Sequence, residues 1–154
     1  MQILNTTNLN ELRKQVQELK KLGKEEIAIV SQDDEFNRKA LEIKGINIFI
    51  INEELNKKDY MKQRDSSLNE VLAKLASKNN ISIGIEIEKI IKLSDIEKAK
   101  SLARLKQNLE ICKRTQTRMI FITKNNKIDP RALQSILITL GASTKQAQTI
   151  KQAF

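Results

Sequence analysis

The sequence predicts an α/β fold in which six or seven mostly parallel strands alternate with helices and curl into an abbreviated barrel. Three observations lead there. The run from Ser66 to Ile87 reads as a helix and then a strand, because its apolar period changes from 3.6 residues to 2. The same alternation of short strand and helix, with short connections, recurs from the start of the chain. Within the strand, Ile81, Ile83, Ile85 and Ile87 alternate with Ser82, Gly84 and Glu86. Large residues on one face and small or polar ones on the other fit a barrel wall, with Ser82, Gly84 and Glu86 facing a narrow lumen. A two-layer sheet with one solvated face is the alternative reading of that pattern.

Met1 to Leu4 predicts a first strand, and Asn8 with Glu11 a capping box opening a helix whose stripe is Leu9, Leu12, Val16, Leu19 and Leu22, stopped at Gly23. Glu26 to Val30 is the second strand. Ser31 and the acidic Asp33, Asp34 and Glu35 start a helix that ends at Gly45, and Ile46 to Ile51 is apolar enough to be buried on both faces. Asn52 to Asp65 is the least regular stretch, with a possible short strand at Asp59 to Gln63. Its Lys57, Lys58, Lys62 and Arg64, with Tyr60 among them, fit either a solvated basic loop or a phosphate-contact surface.

In the run that follows, Ser67 and Glu70 predict a capping box, Leu68, Val71, Leu72, Leu75 and Ala76 an apolar stripe, and Asn79-Asn80 a helix stop. After Ile87 a loop leads to a helix opened by Ser94 and Glu97. Its inner face is Ile96, Ala99, Leu102, Ala103, Leu105, Leu109 and Cys112, with Arg104 among the cations assigned to solvent. Arg118 to Thr123 is a strand, Asp129-Pro130 a helix start, Gly141 its stop, and Ser143 the cap of a last helix reaching Phe154.

Of the 154 residues, 40% are apolar and 31% charged, with no run long enough for a membrane span and no signal-peptide pattern, so a single cytoplasmic domain is expected. Lys and Arg outnumber Asp and Glu by 28 to 19, a net charge of +9 that favours a polyanionic partner, although a compositional bias toward lysine would give the same excess. Aromatic residues are 3% of the chain, which points to phosphate or shape contacts rather than base stacking. Histidine is absent and Cys112 is the only cysteine, which excludes disulfides, Cys/His zinc sites and His-based acid–base or nucleophilic catalysis. Four glycines, none in a phosphate-loop pattern, leave no nucleotide-binding signature.

The run L-N-E-V-L-A-K-L-A-S-K-N-N-I-S-I from Leu68 to Ile83 resembles a segment of the ribonuclease P protein component 3 family. N-L-E-I-C-K from Asn108 to Lys113, then M-I-F-I-T, a proline helix start and L-G-A-S-x-x-x-A from Leu140 to Ala147 resemble its C-terminal half in order and spacing. The chain departs from the family pattern at Ile128, where an Arg often stands, while Arg131 matches the basic residue that commonly follows the proline. The resemblance implies a TIM-like barrel related to the polymerase-and-histidinol-phosphatase (PHP) hydrolases. It also implies a non-catalytic subunit supporting the RNA that removes the 5′ leader from precursor tRNA. Expected partners are ribonuclease P RNA, precursor tRNA, ribonuclease P protein component 2 and the other subunits, with no cofactor on the protein and Mg²⁺ on the RNA. The expected RNA contacts are Arg131, with Lys124 and Lys127 at the same strand exit, and Lys62 and Arg64. A metal-dependent phosphoesterase using Glu86, Asp33 and Asp34, and an interaction scaffold that binds no RNA, are the alternatives.

Overall fold

The isoleucine-rich segment does form a strand in the interior of the sheet, and every residue from Ser82 to Glu86 is buried. The computed structural model describes residues 1–52, 58–123 and 128–152. Along them run β1 (Gln2–Leu4), α1 (Leu9–Lys21), β2 (Ile27–Val30), α2 (Asp34–Leu41), β3 (Ile48–Ile50), α3 (Glu70–Lys78) and β4 (Ser82–Glu86). Then follow α4 (Ile87–Lys92), α5 (Asp95–Thr115), β5 (Met119–Thr123), α6 (Pro130–Thr139), α7 (Thr144–Ala147) and β6 (Ile150–Gln152). The strands lie in sequential order β1-β2-β3-β4-β5-β6, and each neighbouring pair is parallel. Sequential order never reverses the winding, so right-handed crossovers carry the helices to one face. Among the described residues no pairing joins β1 to β6.

The two faces of the sheet have separate cores. Ile27, Ile29, Phe49, Ile51, Ile83, Ile85, Met119 and Phe121 pack with the apolar stripes of the helices in the larger cluster. Ala28, Ile48, Ile50, Ile120 and Ile122 form the smaller cluster on the other face, joined by Met1 and Ile3. A solvated second face is therefore excluded for β4. Gly84 makes the second cluster possible, since a Cβ there would sit 2.9 Å from Ile48 Cγ2, 3.0 Å from Ile122 Cδ1 and 3.2 Å from Ile50 Cγ1. Isoleucines from both flanking strands lean over β4 and close the space that a side chain would take.

Several boundaries differ from the sequence reading. The cap of α3 is Asn69, whose side chain accepts from the Leu72 N–H, whereas Ser67 has a φ of 56°, outside the extended conformation of an N-cap. Glu70 pairs with Lys74 at 2.9 Å instead of closing a capping box. Asn8 caps α1, but Glu11 accepts from the Thr6 hydroxyl at 2.8 Å, so that box is only half formed. Val71 and Ile96 are 66% and 70% exposed and leave their predicted stripes. Asp59 to Gln63 is a turn closed by the Tyr60 N–H on the Gln63 carbonyl rather than a strand. The loop after Ile87 is instead α4, anchored by buried Ile87 and Ile90. The last helix stops at Ala147, and Ile150 to Gln152 pair with Phe121 to Thr123, because the backbone edge of β5 needs partners that a helix cannot offer.

Gly84→Val should lower the unfolding free energy by about 2–3 kcal/mol through overpacking against Ile48 and Ile122. Urea denaturation checks this, and an unchanged midpoint would mean that the isoleucines can move aside.

Candidate nucleic-acid interface

In a parallel sheet the connections leaving the C-terminal ends of the strands lie on one rim, where sites on such folds form. Here that rim is built from short polar residues that finish each strand. Ser31, after β2, accepts the Asn52 N–H on its hydroxyl at 2.9 Å, tying the exits of β2 and β3 together. Asn37, fully buried in the first turns of α2, accepts the Gln32 N–H at 2.7 Å and donates to the Gln32 carbonyl at 3.0 Å. Glu86, at the end of β4, pairs with Lys89 at 3.0 Å, the cation partner expected for it. Thr123, at the end of β5, donates to Glu88.

The segment from Lys58 to Asn69, which leads from this rim into α3, is clamped onto α5. Arg104 is 6% exposed and grips Asp59 with two bonds, Nε to Oδ1 at 3.0 Å and Nη2 to Oδ2 at 3.2 Å. Such bidentate pairing is the strongest side-chain geometry available to a carboxylate. Arg64 Nη1 approaches the same carboxylate at 3.6 Å. One turn along the helix, Gln107 accepts the Arg64 N–H at 3.0 Å and donates to the Arg64 carbonyl at 2.9 Å, imitating a strand partner. Asn108 donates to the Ser66 carbonyl at 3.4 Å.

Partial burial would raise the Asp59 pKa. The Arg104 bond and charge, the Asp65 N–H and Arg64 outweigh it and hold the carboxyl below its usual 3.8. Burial alone pushes the Cys112 thiol up to about 12, so it is an inert core residue.

The structure places the expected contact residues as follows. Lys62 is exposed on the turn of the clamped segment, and Arg64 is half-exposed but shared with Asp59. Arg131 is exposed in the first turn of α6, its N–H held by the Asp129 cap at 2.9 Å. All three belong to the connections that follow β3 and β5. Lys124 and Lys127 lie outside the described residues. Beside the clamped segment is a groove of about 530 Å³ whose lining includes Asp33, Asp34 and Asp65 as well as Tyr60 and Arg64. Among the described residues no three acidic or sulfur side chains gather as metal ligands, and Asp33 is engaged instead in capping α2.

The clamp residues were missed because the stripe of α5 is read from apolar residues. Arg104 and Asn108 share the three-and-four spacing of Ser101, Leu105 and Cys112, all buried, so periodicity applied without regard to polarity would have found them. Asp59→Asn should cost about 2 kcal/mol at neutral pH, the scale of hydrogen bonds to a charged group. Asp59 has a depressed pKa, so its contribution is full above the ordinary carboxylate value and disappears as pH falls through the lower folded value. The stability difference between wild type and Asp59→Asn should therefore vanish well below pH 4; urea titrations across pH check it.

No protein-family model matches the chain. Among curated proteins it is 27% identical over 126 residues to ribonuclease P protein component 3 of Methanococcus maripaludis, covering 81% of this chain and 50% of that one. It is 30% identical over 123 residues to the protein of the same name from Methanococcus vannielii, covering 80% of this chain and again 50% of the relative. Among solved structures, a chain in the cryo-EM structure of archaeal ribonuclease P with mature tRNA superposes with a TM-score of 0.78 at 24% identity, over 96% of this chain and 62% of that one. The chain spans about half the length of the curated relatives it matches. The resemblance read from the sequence is thereby shown: over about four fifths of its length this chain is similar to ribonuclease P protein component 3.

Proposed function

We propose that this chain acts as a component 3-type subunit of ribonuclease P, binding the catalytic RNA and supporting removal of the 5′ leader from precursor tRNA. The similarity to ribonuclease P protein component 3 carries this reading. The net charge of +9 and the missing histidines agree with a subunit that neutralises RNA phosphates and leaves the chemistry to the RNA and its Mg²⁺. On this reading the parallel sheet is an abbreviated TIM-like barrel of the PHP-related type. Arg131, Lys124, Lys127, Lys62 and Arg64 then make phosphate contacts along the strand-exit rim, where each neutralised phosphate releases counterions. Ribonuclease P protein component 2 is the protein partner, and the particle works in the cytoplasm.

The clamp has a mechanistic role here. Ordering a loop on binding costs about 1–2 kcal/mol per residue in backbone entropy, and a segment already tied to α5 by Arg104, Gln107 and Asn108 avoids that cost.

The test is cleavage of precursor tRNA by the cognate ribonuclease P RNA with component 2 at low Mg²⁺, with and without this chain. Cleavage should depend on the chain, and Arg131→Ala should weaken RNA binding several-fold while lowering the slope of log K against log salt by about one. A chain that changes nothing and binds neither RNA nor component 2 overturns the proposal.

A further inference from the structure

A second groove lies at the opposite end of the sheet, away from the rim just described. It encloses about 630 Å³ beside the first residues of β4 and β5, between the ends of α3 and α5 and the short α7. Three cations from three different elements line it: Lys113 from the last turn of α5, Arg118 just before β5 and Lys145 from α7. All three are exposed, none makes an ion pair with a described residue, and no carboxylate lines the groove. Neutral hydrogen-bonding groups, Ser77, Asn80 and Gln116, complete the lining, and no aromatic side chain is present.

This set differs from the strand-exit rim in the feature that matters for an anion. There, Asp33, Asp34 and Asp65 share the groove with Arg64, whose charge is already directed at Asp59. Helix-end electrostatics accounts for Lys113, which sits where a cation favours the α5 C-terminus, but not for Arg118, which belongs to no helix. Uncompensated like charges around one concavity repel each other and raise the local concentration of polyanions. Cations with hydroxyl and amide groups, and without stacking rings, recognise a sugar-phosphate chain irrespective of its sequence.

We propose that this groove at the strand-entry end binds the phosphodiester backbone of RNA. The proposal rests on the RNA-subunit reading above and adds to it a second contact surface, separated from the first by the length of the sheet. One protein would then brace two RNA segments across its own body.

The test is binding of full-length chain to cognate ribonuclease P RNA across a salt series. The triple variant Lys113→Gln, Arg118→Gln, Lys145→Gln should bind roughly 10–100-fold more weakly near 0.1 M salt, with a slope reduced by about 2–3. Removing the same charge from exposed α1 positions and the turn after it, Lys14→Gln, Lys21→Gln and Lys24→Gln, should have a much smaller effect. The charge-preserving triple Lys113→Arg, Arg118→Lys, Lys145→Arg should restore binding. Equal losses in the groove and control variants, or a failure of the charge-preserving variant to bind, would overturn the groove. If the groove variant binds like wild type while Arg131→Ala does not, the groove is wrong and the RNA-subunit reading stands; no RNA binding by wild type removes both.

Discussion

The constraint on which this molecule depends is that β4 is buried on both faces while only one of them is covered by helices. Ile83 and Ile85 meet the helical layer. On the other side, among the described residues, Ile48, Ile50, Ile120 and Ile122 bury one another with Ala28, joined by Met1 and Ile3. They do so by leaning across the backbone of Gly84, where any side chain would meet Ile48 at 2.9 Å. Fully burying an isoleucine contributes about 1.5–3 kcal/mol, so this small cluster is a substantial part of what makes the sheet stable. The sequential strand order serves the same end, because the helices stay on one face and the second face is left to the strands.

A face filled with isoleucine leaves no room for polar chemistry inside the sheet, and the polar residues gather at its two ends. At the strand exits they are largely committed to one another: Ser31 to Asn52, Asn37 to Gln32, Glu86 to Lys89, and Thr123 to Glu88. The segment before α3 is bound down by Arg104, Gln107 and Asn108, so α5 is both a wall of the core and the anchor of a surface segment. Burying Arg104 is sustained by the two bonds it donates to Asp59, since a buried guanidinium without its carboxylate carries a large desolvation cost. The strand-entry end has the opposite character, with cations and no acid around its groove.

On the proposed reading, these two ends of the sheet are where an RNA would be held. The chain covers about half the length of the component 3 proteins it matches, yet nearly all of it superposes on the fold of a chain in the archaeal particle.

The sequence by itself determined the alternation of strands and helices, the isoleucine-rich strand β4, the glycine and asparagine stops, and the Asp129-Pro130 helix start, because each depends on neighbours within a few residues. The resemblance to component 3 was legible for the same reason, being carried by contiguous blocks. Tertiary structure decided what depends on partners far along the chain. The Asp59–Arg104 pair spans 45 residues, and its members read separately as a loop acid and a solvated helix cation. The α3 cap moved from Ser67 to Asn69 because a backbone angle, not the residue type, selects the cap. The last segment became a strand because β5 presented an unpaired edge to it. The basic groove is likewise invisible in sequence, since Lys113, Arg118 and Lys145 are brought to one concavity only when α5, β5 and α7 converge there.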